Sequence, residues 1–358
     1  MKTYYTAALL AFSSFAVSTH AYAATPGEFK TFKDWAVACN NIRTCTATSL
    51  MEEEAQGGIA LLRLERGGKA HDAAKLSITF SNAGLASELP AHLVGKRITL
   101  KAANNTLDLG KLTAKEQQTG RLTLNATQTQ AALNILKKPE HVRIAIGNAL
   151  YRGSLAGLMA SLLYIDTQQQ RLDTTTALVR KGTTAMTTSI PVLPQLQAVA
   201  PPPKLKAPAN LAAKVRQTMR QYLSECVADE GDDTPSAYDF VETLDNKHFL
   251  VGVTCATGAY NQFHTLFIVP QESAAAANPK ASLAKLEFQD GAEIVNGDFA
   301  RKTGILAEYN KGRGLGDCGV YNEWVWTGKQ FSALRRDVME ECRGVVDYLN
   351  VWSAQLSK

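Results

Sequence analysis

Residues 311–328 read KGRGLGDCGVYNEWVWTG, with Gly314, Gly316 and Gly319 in the G-x-G-x-x-G spacing of a dinucleotide fingerprint. That fingerprint works only where a strand feeds the glycines and a helix follows, because the helix N-terminus holds the pyrophosphate. Here the glycines run into Val320, Tyr321, Asn322, Trp324, Val325 and Trp326, a strand composition, and Thr327-Gly328-Lys329-Gln330 turns the chain back as a hairpin. Asp337 and Glu340 stand about 20 positions downstream, but without a βαβ unit neither has a ribose to meet. The run therefore reads as a tight loop whose glycines take positive φ, and no cofactor is expected. The fold class follows from the same reading: β-rich α+β, with no doubly wound sheet.

The other end of the chain gives an address. Met1-Lys2-Thr3 is a short basic segment, Tyr4 to Val17 carries no charge, and Ala21-Tyr22-Ala23 supplies the small-x-small pattern of signal cleavage. Residues 1–23 are read as a signal peptide, and a periplasmic or secreted location is expected. The apolar stretch is shorter than the about 20 residues of a spanning helix, so no membrane span is expected. Taking one lysine from 38 basic residues against 33 acidic ones leaves a formal charge of +4. That is too mild for a nucleic-acid partner. Arg301-Lys302, Lys311, Arg313 and Arg335-Arg336 read as a solvated rim.

Six cysteines in an exported chain argue for disulfides, although sequence alone permits about 15 pairings. Order along the chain favours neighbours: Cys39–Cys45 across a tight hairpin, Cys318–Cys342 across the hairpin in which Trp326 opposes Phe331, and Cys226–Cys255 between a helix end and a strand. No C-x-x-C occurs, and no metal is expected.

Composition divides the 358 residues in two. Residues 183–209 hold six prolines and no acidic residue, and read as an extended, semi-rigid linker. Residues 24–182 are expected to form a β-sandwich-like N-terminal domain with two helices, at Thr127–Lys138 and from Leu158 to near Gln170. In the strand at Trp35, the residues Trp35, Val37 and Cys39 alternate with smaller ones, which predicts one buried face. Leu158, Leu162, Leu163 and Ile165 are expected to share the buried face of the second helix. Residues 210–358 read as an α+β domain. One leading helix carries Leu211, Val215, Met219, Tyr222 and Cys226 on a single face, capped by Asn210, and packs on an antiparallel meander.

Chemistry is harder to find. Ser282-x-x-Lys285 and Lys302-Thr303-Gly304 echo a β-lactamase set, but they lie too close together and lack the linking Ser-x-Asn. The residues 228–236, ADEGDDTPS, lack calcium-loop spacing and read as solvated. His248 and His264 fall in neighbouring strands and could approach one another. Asp166, Gln170 and Arg171, at a helix end, read as a structural polar network. Arg313 and Asp317, beside Trp324 and Trp326, form the candidate binding surface, since arginine and aromatic groups dominate recognition when clustered.

FKDWAVACNNIRTCTA (32–47), LYIDTQQQRLDTTTALVRKG (163–182), CATGAYNQ (255–262) and the glycine hairpin with WVWTGKQFSALRRDVMEECRG (324–344) together resemble the domain of unknown function 1176 family. The opening Trp-x-Val-x-Cys is also similar to the invasion-associated locus B proteins. The resemblance implies export in Gram-negative bacteria and no established reaction. The expected function is a non-enzymatic binding protein for an envelope protein or polymer, with lysozyme inhibition as a narrower form. The alternatives are an envelope hydrolase with paired carboxylates and a self-associating structural protein.

Overall fold

The computed structural model describes residues 25–52, 57–81, 88–187, 189–199, 205–223, 226 and 237–357. The signal segment and the acidic run at 228–236 lie outside these residues. Among them no helix is long and apolar enough to cross a membrane.

The N-terminal half builds one ten-stranded sheet. Its strands are β1 (Phe29–Phe32), β2 (Trp35–Cys39), β3 (Cys45–Ser49), β4 (Gly58–Arg66), β5 (Lys75–Ser81), β6 (Arg97–Ala102), β7 (Asn105–Lys111), β8 (Arg121–Thr123), β9 (His141–Ile146) and β10 (Ala149–Ser154). Strand β4 is the branch point, pairing with β3 and β5 and, through its first residues, with the middle of β10. Three helices accompany the sheet: α1 (Ala114–Thr119), α2 (Ala126–Leu136) and α3 (Leu158–Gln168). The first is absent from the sequence reading. Its signal was the capping box Thr113-x-x-Glu116, in which each side chain bonds the other residue's backbone N–H. The inner face of the sheet, with Trp35, Leu62, Leu64 and Ile78, packs on Leu133 of α2 and on Leu158, Leu162 and Ile165 of α3. Leu163 instead points outward and is exposed.

In the C-terminal half the expected single meander is two five-stranded sheets. Residues Gln195–Leu196 (β11) come from the proline-rich stretch and pair in parallel with the last strand of the chain. Helix α4 (Leu211–Thr218) is shorter than the periodicity suggested: Asn210 sits at φ 57° with no side-chain cap, and Tyr222 and Cys226 lie beyond the helix. Thr218 turns its hydroxyl back onto Lys214 O at 2.8 Å, a bond that bends helices and competes with their continuation. The first sheet holds β12 (Phe240–Thr243), β13 (His248–Thr257), β14 (Gln262–Pro270), β15 (Ser282–Leu283) and β16 (Glu293–Val295). The second runs in strict chain order through β17 (Asp298–Ala300), β18 (Ile305–Lys311), β19 (Gly319–Trp326), β20 (Phe331–Met339) and β21 (Leu349–Ser353). Strand β22 (Gln355–Leu356) closes on β11.

Alternation along these strands stacks the layers. Phe249, Val251 and Val253 of β13 face Leu211 and Val215 of α4 and Met219 just past its end. Leu250, on the other face, joins Leu306, Trp324, Trp326 and Phe331 of the second sheet. That second sheet turns its outer face to the N-terminal half, where Val338, Met339, Leu349 and Val351 meet Ala36, Ala38, Ile59 and Leu61. Both faces of β2 are therefore buried, where the sequence pattern predicted one. The small side chains of Ala36 and Ala38 are what let a second layer come so close.

Three disulfides join Cys39 to Cys45, Cys226 to Cys255 and Cys318 to Cys342. Loop-closure entropy makes the last two, across 29 and 24 residues, worth about 3.5 kcal/mol each. The seam between the halves has no such bridge and depends on packing. Replacing Ala38, fully buried there, with leucine should cost about 1–3 kcal/mol by overpacking. Urea unfolding measures it, and an unchanged midpoint would mean that the seam is loosely packed.

Candidate functional site

The glycine run proves to be a corner. Gly319 opens β19 directly, and no helix follows it. At Gly319 φ is 136°, and a Cβ there would lie 2.0 Å from Asn310 O. At Gly316 φ is 70°, and a Cβ would strike the Tyr309 hydroxyl. Gly316 O accepts hydrogen bonds from two tyrosines, Tyr309 Oη at 2.8 Å and Tyr348 Oη at 3.2 Å. The loop is held from below by Asp317, which is fully buried, accepts from Arg313 Nε at 2.6 Å and accepts from Gly344 N at 2.7 Å. Burial opposes ionisation of this carboxyl, but the Arg313 hydrogen bond, the Gly344 N–H and the Arg313 charge outweigh it and hold the group below the ordinary aspartate range.

Above that corner lies a cleft of about 460 Å³ between the two halves. Cross-strand register explains its lining. Tyr309, Tyr321 and Asp337 sit opposite one another on β18, β19 and β20, and Glu323 faces Arg335 in the next row. One position out of phase, Glu308, Asn322 and Arg336 form a row on the inner face. Glu308 there is buried, which raises its proton affinity, while amides of Asn322 and Gln289 and the Val295 N–H donate to it and lower it in part. Across the cleft, Arg63 and Glu65 project from β4 and Arg121 from the start of β8. Tyr348 and Asp347 come from the segment leading into β21.

The site thus gathers three tyrosines and three arginines, with a carboxylate beside each arginine. Arg63 Nε lies 2.9 Å from Glu65, Arg335 Nε lies 2.7 Å from Asp337, and Arg121 pairs with Asp347. Arg63 also donates to Asp347 O at 2.8 Å, which ties the two walls together. The rings stack edge to face, with Tyr309 5.9 Å from Tyr348 and 6.4 Å from Tyr321 between centroids. Burial, then the hydrogen bond to Glu323, pushes the Tyr321 hydroxyl up to about 12. Tyr321 donates to Glu323 at 2.7 Å, so its ring is held facing the cleft.

The residues singled out from sequence divide. Arg313 and Asp317 brace the corner, but Trp324 and Trp326 are 1% and 3% exposed and lie in the core between the C-terminal sheets. Their indole N–H groups go to Glu287 O and to Asp245 Oδ2. The four do not form one surface, because strand period two puts the tryptophans on the face opposite Tyr321 and Glu323. Asp166 and Arg171 are fully buried, and both belong to a polar network. Asp166 accepts from Leu178 N, Val179 N and Arg66, and Arg171 donates to the carbonyls of Gly67, Lys69 and Ala70. Gln170 is exposed at φ 55°; it is Gln169, one residue earlier, whose amide reaches Arg43 O, Arg66 O and Gly67 O. His248 and His264 do not meet. His248 pairs with Pro270 and His264 with Thr254, about 20 Å apart along the ladder. Arg301 and Arg336, read as rim, are half-buried at most exposure and engage Glu242 and Asn322. Among the described residues no group of three or more His, Cys, Asp and Glu side chains could hold a metal.

A layered, disulfide-bonded α+β protein with a ligand-sized cleft between two halves is the class these features define. Residues 29–355 match the family described as protein of unknown function (DUF1176), and the chain belongs to that family. It is 28% identical to the uncharacterized protein YpfG of Escherichia coli strain K12 over 326 residues, 87% of this chain and 88% of YpfG. Invasion associated protein b of Bartonella henselae is similar over 40% of this chain and 99% of its own, at 13% identity and a TM-score of 0.27, a likeness too slight to bear on fold or function.

Asp317, and Asp34 beside Arg343, have lowered folded-state proton affinity; at Asp34 burial again opposes and Arg343 and Ser154 outweigh it. A depressed acid contributes stability above its unfolded value and loses it as pH falls through the folded one. The melting temperature should therefore drop as pH falls below the ordinary value of 3.8. Asp317→Asn should be less stable at neutral pH by about 1–2 kcal/mol and show a shallower acid limb. An acid limb identical to that of the native chain would remove the bracing role.

Proposed function

We propose that this chain is an exported, non-enzymatic binding protein that holds an envelope polymer in the arginine–tyrosine cleft. The observation that carries the reading is the convergence of Tyr309, Tyr321, Tyr348, Arg63, Arg121 and Arg335 from both halves on one concavity. Clefts where packed units meet are preferred places for ligands, and this one is lined mainly by charged groups and tyrosines. Tyrosine and arginine carry most of the energy of such contacts. Export is supported by the three disulfides, which form and persist in oxidising compartments.

The mixture of charges narrows the ligand class. Equal numbers of arginines and carboxylates give a cleft that offers donors and acceptors side by side around flat rings. That suits a chain bearing hydroxyls, amides and carboxylates, such as a glycan cross-linked by peptides, better than a uniformly charged polymer. Hydrolysis fits less well. Glu65, Asp337 and Asp347 are each engaged by an arginine and Glu323 by the Tyr321 hydroxyl, and the Ser154 hydroxyl outside the cleft donates to Asp34 at 2.6 Å and accepts from Ala156 N.

Calorimetric titration with soluble peptidoglycan fragments tests the reading. The native chain should bind without releasing new reducing ends, and Tyr321→Ala and Arg335→Ala should each weaken binding by about tenfold or more. Both side chains lie outside the core between the C-terminal sheets, but Tyr321 also packs against the seam, so each variant is titrated only after its cooperative melting is shown. Absence of binding, or full affinity in the double variant, would reject this ligand and this site. Turnover would replace the proposal with the hydrolase.

A further inference from the structure

Glu65 and Arg66 are neighbours on β4 that face opposite sides of the sheet. Glu65 looks into the cleft, while Arg66 closes the floor of a separate cavity of about 260 Å³ beneath α2. One stripe of α2 forms a wall of that cavity, with Ala126, Thr129, Gln130 and Leu133 at helical spacing and Lys137 just past the last turn. The segment Thr175–Leu178 with Lys181 forms the other wall. The body of the cavity is apolar, with Ala73, Ala74 and Ala177 beside Leu133 and Leu178, and one side is cationic.

The charges there do not balance. Arg66 is 4% exposed, and its buried neighbour Arg171 adds a second guanidinium behind it. One carboxylate is fully buried with them, Asp166, and it is already occupied by Arg66 at 3.3 Å and by two backbone N–H groups. Asp72 lines the cavity as well, accepting from Lys69 N at 2.9 Å. Against these two acids stand Arg66, Arg171, Lys137 and Lys181. Lys137 Nζ donates to Leu178 O at 2.6 Å, which leaves donors to spare on an ammonium that carries three. Among the described residues neither lysine has a carboxylate within ion-pair distance. Burial and then the Arg171 charge lower the Arg66 proton affinity to about 10, and burial and then Lys181 lower that of Lys137. Burial is the larger cause in both, and the neighbouring cation adds to it.

We propose that this cavity is a binding site for a small organic anion, a carboxylate or phosphate carried on a short aliphatic body, with its head against Lys137, Lys181 and Arg66. The volume lies below the roughly 300–1,000 Å³ of drug-sized sites, so the occupant is small. Alanine and leucine walls exclude a bulky polar body, and an entering anion would give the two lysines the counter-charge that no carboxylate among the described residues supplies. The site is on the far face of the N-terminal sheet from the cleft and does not depend on what the cleft binds.

Isothermal titration with hexanoate and with hexyl phosphate, against 1-hexanol as the neutral control, tests this. At least one anion should bind, and the alcohol should not; the stronger of the two heads assigns the ligand's chemistry. Lys181→Gln, a change at an exposed side chain, should weaken binding about tenfold, and Lys137→Gln with Lys181→Gln should abolish it. Tyr321→Ala should bind as the native chain does, which separates this site from the cleft. Silence with both anions, equal affinity for hexanol, or undiminished binding by a folded Lys181→Gln chain would overturn the proposal.

Discussion

The seam between the two halves is the constraint on which the rest depends. Ala36 and Ala38 leave the outer face of β2 shallow, and residues 343–351 lie down on it. Around that apolar strip runs a polar border: Arg343 reaches Met51 O at 2.8 Å and Asp34 at 2.7 Å, Asn40 bonds Asn350 at 2.8 Å, and Gly27 N bonds Val351 O at 2.8 Å. Backbone groups buried by the contact are satisfied across it, which is the condition for two sheets to meet without penalty. Because the border is made by specific donors and acceptors, the two walls of the cleft are fixed in position.

The glycine corner connects that seam to the cleft. Its conformation is one that only glycine enters without strain at these φ values. The reward is a carbonyl, that of Gly316, presented to two tyrosines at once. Asp317, one residue on, ties the same corner to Gly344 at the start of the segment that seals the seam. The residues most suggestive of a nucleotide site are thus scaffold for a site built from other residues. The proline-rich stretch follows the same economy of contact: Val199 N bonds Trp326 O at 2.9 Å and β11 pairs with β22, so it lies along the C-terminal half.

Much of the fold was legible because it rests on local rules. A hairpin turning at Thr327–Gln330, a strand in place of a helix after Gly319, and cysteines flanking short hairpins all follow from neighbours in sequence. The site was less legible. Trp324 and Trp326 are the largest aromatics of the stretch, whereas it is Tyr321, earlier on the same strand, that lines the cleft. The alternation was visible in the sequence, but which phase faced solvent was not, since both faces of this sheet are covered. Gln169 was missed in favour of Gln170 for a similar reason, as a helix end leaves the exit direction of each successive residue open.

By itself the sequence determined the secondary-structure class, the strand character of the glycine hairpin and the family to which the chain belongs, because propensity, turn chemistry and motif spacing act over a few residues. Tertiary structure alone decided that the C-terminal strands split into two sheets, that β2 is buried twice, and that Arg63, Arg121, Tyr321 and Tyr348 share one cleft. Those residues lie more than two hundred positions apart at the extremes, and no local preference relates them. They meet because two apolar faces remove one another from water, and the choice of faces is a property of the folded whole.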